Sequence, residues 1–102
     1  MAVRLTWLPG AIADLDAIAT YIAIDSERYA CDFVARVIAR AEGLHDLPMS
    51  GHVTPETNRA DVRELSIYPY RLIYRVRENQ VIVLAVLHGS RLIHNQLRER
   101  LE

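Results

Sequence analysis

Val81 to Leu87, VIVLAVL, is seven consecutive apolar residues, mostly β-branched. Such a run suits a central strand covered on both faces. Just before it, Tyr70 to Arg77 alternates, with Tyr70, Leu72, Tyr74 and Val76 on one face and Arg71, Ile73, Arg75 and Arg77 on the other. Period two is the pattern of a strand. Glu78 and Asn79 separate the two runs, and Asn tolerates the left-handed backbone of a tight hairpin. If Glu78-Asn79 is a two-residue turn, Val76 opposes Val81, Tyr74 opposes Val83, Leu72 opposes Ala85 and Tyr70 opposes Leu87. This face is wholly apolar and calls for helices. The other face carries Ile73, Ile82, Leu84 and Val86 among Arg71, Arg75 and His88. A buried cation without a partner is costly, and so large an apolar patch is unusual on a solvated surface. This face is therefore expected to be covered by something acidic and partly apolar. The candidates are a partner protein or, within the same chain, the C-terminal segment.

The 102 residues suffice for one domain with its own core, expected to span 1–102. The longest apolar run is far too short to cross a bilayer, and the N-terminus lacks a charged-then-apolar signal pattern. The expected location is the cytoplasm. The lone Cys31 falls on a predicted helix and cannot form an internal disulfide, so it is expected as a small core residue in a reducing compartment. Residues 1–57 hold four Arg against eight acidic residues, and residues 58–102 hold eight Arg against five. The sheet-and-tail half is thus the basic half. Every basic residue is Arg, whose planar fork suits carboxylate or phosphate.

Val3, Leu5 and Trp7 alternate with Arg4 and Thr6 in a first strand. A helix then opens at Pro9, a residue tolerated in a first turn. Leu8, Ile12, Leu15, Ile18 and Ile22 are its expected inner face, with Asp14 and Asp16 near the favourable pole of its dipole. Asp25-Ser26-Glu27 breaks and recaps the chain. A second helix follows, with Ala30, Phe33, Val34, Val37, Ala41 and Leu44 inward, stopped before Pro48. So short a connection implies a helical hairpin on one sheet face. Met49 to Ala60 has no periodicity and is expected as loop. Asp61 to Ile67 is a strand, broken from the next by Ile67 to Pro69. Ile93, Leu97 and Leu101 outline a short C-terminal helix, with Ser90 as a possible N-cap. The predicted fold is α+β in the order β-α-α-β-β-β, mostly antiparallel, with a helix hairpin packed on one face and a short C-terminal helix.

Three strings in order, Val62-Arg63-Glu64-Leu65, then Pro69-Tyr70-Arg71-Leu72-Ile73-Tyr74-Arg75, then Val86-Leu87-His88-Gly89-Ser90-Arg91, together with Trp7 to Ala23 and the exit Leu47-Pro48 and Gly51, resemble the ParE/RelE superfamily of type II toxin–antitoxin toxins. The resemblance covers nearly the whole chain. It implies a growth-inhibiting toxin of the kind linked to plasmid stabilisation, neutralised by a cognate ParD-like antitoxin. The antitoxin would lie over the helix hairpin and the open sheet face, using Arg63, Arg71, Ile73, Arg75, Leu84 and Val86. Operator DNA would be met only through the antitoxin.

The superfamily divides by target. ParE-like members are associated with DNA gyrase, and RelE-like members cut messenger RNA on the ribosome. Against the RelE pattern, Arg71 matches the Arg of the Tyr-Arg pair, Arg91 the Arg after the last strand, and Arg63 one strand cation. Glu64 and Ser66 are not basic, and the tail position that carries the acid/base group falls at about Leu97. The ParE-like, gyrase-directed reading is therefore preferred. RNA cleavage needs a base, an acid and positive charge on the phosphate. His88, with Arg71 and Arg91, is the set available for it, His being the side chain that titrates near neutrality. A homologue that binds antitoxin without toxicity is a third reading. His45, His52 and His94 show no metal-ligand spacing, and neither metal nor cofactor is expected.

Overall fold

The computed structural model describes residues 3–91 and 94–101. Strand β1 (Arg4–Trp7) leads into helix α1 (Pro9–Ala23), helix α2 (Glu27–Glu42) and a 3-10 turn at Gly43–His45. Strands β2 (His52–Val53), β3 (Val62–Ile67), β4 (Tyr70–Arg77) and β5 (Gln80–His88) follow, and helix α3 (His94–Leu101) closes the chain. The sheet order is β1-β5-β4-β3-β2, with β1 parallel to β5 and the other pairs antiparallel. The predicted α+β fold is present, with one added strand. β2 lies in the expected loop; at two residues it is too short to show a period, and only its pairing with Arg63 and Glu64 makes it a strand.

The helix hairpin packs on one sheet face. Ser26 caps α2, its hydroxyl accepting from the Tyr29 N–H at 3.1 Å. Ala30, Phe33, Val37, Ala41 and Leu44 are buried as expected. On α1 the inner stripe is Ala11, Leu15, Ile18 and Ile22, at spacings of four, three and four. Ile12 stands one position off that stripe and is exposed. Cys31 is exposed too, on the outer side of α2, which corrects its placement in the core.

The central hairpin turns at Glu78-Asn79, with the left-handed residue at Glu78 (φ 53°) rather than Asn79. Val76 opposes Val81 and Tyr74 opposes Val83, as the pattern predicts. Beyond them the register slips: Ile73 faces Ala85, Leu72 faces Val86 and Tyr70 faces His88, leaving Leu84 unopposed. This extra residue puts Leu84 and Ala85 in the same cluster and reverses the faces of everything after them. Val86 therefore joins the helix-packed core, and Leu87 turns to the face where Val86 was expected. Strict alternation could not reveal the slip, because all seven residues of the run are apolar.

The second sheet face is not open. Leu97 and Leu101 of α3 pack there, with Leu8, on Val62, Ile73, Ile82, Leu84, Ala85 and Leu87. The cover is the chain's own C-terminal segment. The Ser90 hydroxyl lies 2.8 Å from His88 Nδ1, and the residues it was expected to cap lie outside the described residues. Ile93 lies outside the described residues.

Candidate functional site

Arg71 sits near the start of β4, on the second face, with about nine-tenths of its side chain buried. Glu64 reaches it from β3 and Glu56 from the loop before β3. Arg71 Nε donates to Glu64 Oε2 at 3.1 Å, and Nη2 to Glu64 Oε1 at 2.5 Å. Nη1 and Nη2 donate to the two oxygens of Glu56 at 2.8 and 2.7 Å. Nη1 also donates to the Arg91 carbonyl at 3.3 Å. A guanidinium has five N–H groups, and all five are engaged. Hydrogen bonds donated to Glu56 and then Glu64 raise the Arg71 pKa well above its ordinary value, outweighing its burial. Two carboxylates flank one cation in a nearly dry place, with His52 Nε2 3.4 Å from Glu64 Oε2 at its outer edge.

The neighbouring arginines are also occupied. Arg63 donates to the carbonyls of Ala60 at 3.0 Å and Gly51 at 2.8 Å, holding the ends of the 51–60 segment. Arg75 donates to Asp61 Oδ2 at 3.1 Å and to the Leu101 carbonyl at 3.2 Å. Arg59 bonds the same Asp61 through two nitrogens, at 3.0 and 2.7 Å. That pairing is the main reason the Asp61 carboxyl is held below its usual range. Ile73, Leu84 and Val86 are fully buried. Of the six residues expected to meet a partner, these three therefore reach no surface. Arg71 is nearly buried, and Arg63 and Arg75 are tied down within the chain.

Above Arg71 opens a cleft of about 760 Å³ that brings together Glu56, Tyr68, Arg71, His88, Ser90 and Arg91. The three residues named as a possible nuclease set thus share one cleft. His88 is exposed at the end of β5, and its Nδ1 accepts the Ser90 N–H at 3.2 Å. Its ring meets Tyr70 edge-on at 5.6 Å, and Tyr70 packs on Phe33 at 5.1 Å. Tyr74 is core, and burial pushes its phenol up, against the opposing pull of the Gly51 N–H. Leu97, at the tail position matching an acid/base group, is buried beneath α3 and does not line this cleft. Among the described residues no cluster of three or more His, Cys, Asp or Glu could hold a metal.

Glu56 is the partner of Arg71 that sequence reasoning missed. It lies in an aperiodic loop fifteen positions from Arg71. Only the pairing of β3 with β4 brings the loop to the guanidinium.

The outer side of the helix hairpin is a second surface. Between α1 and α2 runs a trough of about 650 Å³, lined by Ala19, Ala23, Cys31, Val34, Ala35 and Ile38 among others. Tyr21 (70 % exposed) and Ile24 (78 %) stand out at the α1 end of the hairpin.

The sequence matches the family described as the ParE toxin of the type II toxin–antitoxin system parDE, over residues 5–93. The chain belongs to the ParE toxin family. No curated protein matches it. Among solved structures, a chain of the chromosomal ParDE toxin–antitoxin system from P. aeruginosa has the ParE fold of this chain with a TM-score of 0.71 and 24 % identity, covering 87 % of this chain and 98 % of that one. A chain of the RelBE2 toxin–antitoxin complex from Mycobacterium tuberculosis follows at a TM-score of 0.62 and 22 % identity, covering 89 % and 95 %. The chain is thus a type II toxin of the ParE/RelE kind. No helix among its described residues is long and apolar enough to cross a membrane.

Proposed function

We propose that this toxin acts by protein contact with DNA gyrase and does not cut RNA. The observation that carries the reading is the saturation of Arg71: every N–H of the cleft's central cation is already bonded within the chain, four of the five bonds going to carboxylates. A phosphodiester drawn toward Arg71 would find its fork already taken by two carboxylates. Stabilising a developing phosphorane needs preorganised positive charge aimed at it, and that of Arg71 is already committed to carboxylates. Buried Leu97 leaves the tail without an acid or base.

A ParD-like antitoxin is the proposed partner. Its docking surface is the trough of the helix hairpin, because the sheet face is closed by α3. Small side chains at Ala19, Ala23 and Ala35 let an apolar helix approach closely, the helix-in-groove mode of recognition. Operator DNA is reached through that antitoxin, the chain acts as one domain over 1–102, and gyrase places its action in the cytoplasm.

The test is to induce the toxin alone in a bacterial host and follow a DNA-damage reporter and protein synthesis over the first minutes. Purified gyrase is then assayed for trapped DNA cleavage. Early damage signalling with trapped cleavage is the expected result. Early translation arrest with cut messages would overturn the reading and return His88 to consideration as a base. No effect on growth would favour a homologue that has lost toxicity.

A further inference from the structure

Many of the arginines are spent within the chain. Arg59, Arg71, Arg75 and Arg100 pair with carboxylates, and Arg40 and Arg63 donate to carbonyls. Arg4 and Arg77 are different: both are exposed, and neither guanidinium has a partner among the described residues. Strand register sets them in one row. Arg4 on β1 and Arg77 on β4 both lie opposite Gln80 of β5, one on each side of it. Neighbouring strands run about 4.8 Å apart, so the row is about 10 Å long. Leu5, Val76 and Val81, beside them in sequence, pack on the helix side. Alternation therefore puts Arg4, Gln80 and Arg77 on the second face. With Glu78 and Asn79 of the turn they line a pocket of about 360 Å³, at the opposite end of β4 from Arg71. No described residue of α3 lines it.

We propose that the row Arg4-Gln80-Arg77 is a sequence-independent contact with the backbone of the DNA that gyrase holds. The inference rests on the gyrase reading, which brings the toxin to DNA. The lining decides the kind of partner. All five side chains of the pocket are polar. The core of a protein interface is built on aromatic or aliphatic anchors, and none lines this pocket. Arg, Gln and Asn are side chains that meet phosphate and sugar. Phosphates recur about every 3.4 Å of axis along one strand, so a row of about 10 Å reaches more than one of them. Glu78 is the one carboxylate in the lining, which leaves the pocket a net of one positive charge. Two guanidiniums are too few to hold free DNA on a chain whose net charge is −1. They add to a complex that gyrase has already assembled and fix the toxin's orientation on it.

The experiment measures the cleavage trapped by purified gyrase on plasmid DNA against toxin concentration, for the wild-type chain and for Arg4→Gln/Arg77→Gln. Both residues are exposed and unpaired, so the double variant should keep the urea midpoint of the wild type. Its half-maximal concentration should rise about tenfold at low salt. Its salt dependence should be shallower by a slope of about two, one for each lost phosphate contact. Its binding to gyrase without DNA should be unchanged. Glu78→Gln should act in the reverse direction and lower the half-maximal concentration severalfold, since it removes a like charge from beside the phosphates. Wild-type toxin that traps no cleavage would overturn the gyrase reading and this inference with it. Wild-type trapping that the double variant matches at every salt concentration would overturn this inference alone. An equal loss of binding to DNA-free gyrase would overturn it as well, because the row would then meet protein.

Discussion

Arg100 and Asp14, eighty-six positions apart in sequence, close the molecule over the register slip in β5. Arg100 Nη1 donates to Asp14 Oδ2 at 2.7 Å and to the Leu84 carbonyl at 2.9 Å. The same Asp14 Oδ2 accepts the Val86 N–H at 3.1 Å. β1 pairs with β5 only as far as Val83, so Leu84 and Val86 would otherwise present bare backbone. The two side chains supply the bonds that the missing strand does not. Asp14 is therefore a tertiary anchor rather than a helix-dipole residue, and it lies beyond the first turn of α1.

Arg100→Ala should destabilise the fold by about 2–3 kcal/mol, because it strands a largely buried carboxylate and a backbone carbonyl together. Asp14→Asn should cost less than Asp14→Ala by about 1 kcal/mol, since Asn keeps an acceptor for the Val86 N–H. Urea denaturation of the three variants measures both. Equal losses for Asn and Ala would mean that the backbone bond contributes nothing.

Gly51 is needed for close approach, not for an unusual backbone angle. A Cβ there would lie 2.5 Å from the Glu64 carbonyl and 2.5 Å from the Tyr74 hydroxyl. The carbonyl belongs to a paired strand and cannot yield. Gly51→Ala should therefore lower stability by about 2–3 kcal/mol. Tyr74→Phe removes only the hydroxyl that accepts from the Gly51 N–H at 2.9 Å and should cost about 1–2 kcal/mol. Thermal or urea melts rank the two, and Gly51→Ala is expected to be the more damaging.

The Tyr74 phenol also sets an alkaline dependence. Burial raises its pKa above the ordinary 10.0, so the folded state holds the proton more tightly than the unfolded chain. Its contribution is complete below about pH 10 and is lost as pH rises through the folded value. The stability of the wild type relative to Tyr74→Phe should therefore shrink above about pH 10 and stay constant between neutrality and that point. Denaturation curves across this range check it, and a difference that grows with pH would contradict the sign.

The two candidate docking surfaces can be set against each other. Cys31→Glu puts a charge into the hairpin trough and should weaken antitoxin binding by about tenfold or more, since a desolvated charge without a partner opposes association. Arg98→Glu, on the exposed side of α3, should change it by less than about threefold. Titration calorimetry with the cognate antitoxin measures both. The opposite order would return the docking surface to the covered sheet face.

Much of this architecture is legible in local pattern. The alternation of Tyr70 to Arg77 and the Glu78-Asn79 turn placed the hairpin, and Ser26 placed the break between the helices. Arg71, Arg91 and His88 were singled out from sequence, and they do share one cleft. Val86 was misplaced because a uniformly apolar run carries no phase, so a single unopposed residue passes unseen. Cys31 was misplaced because a small residue on a helix does not announce its face. Glu56 was overlooked because an isolated acid in a loop looks like any solvated loop residue.

By itself the sequence determined every element but β2, and the family, since turn chemistry, capping and the periods of strand and helix are properties of neighbouring residues. Tertiary structure alone decided which face Val86 joins, that α3 covers Ile73 and Leu84, and that Glu56 joins Glu64 on Arg71. Those outcomes depend on strand register and on charges that meet only after the chain has folded back. In both cases a shift of one residue or one loop reverses the answer while the local pattern stays the same.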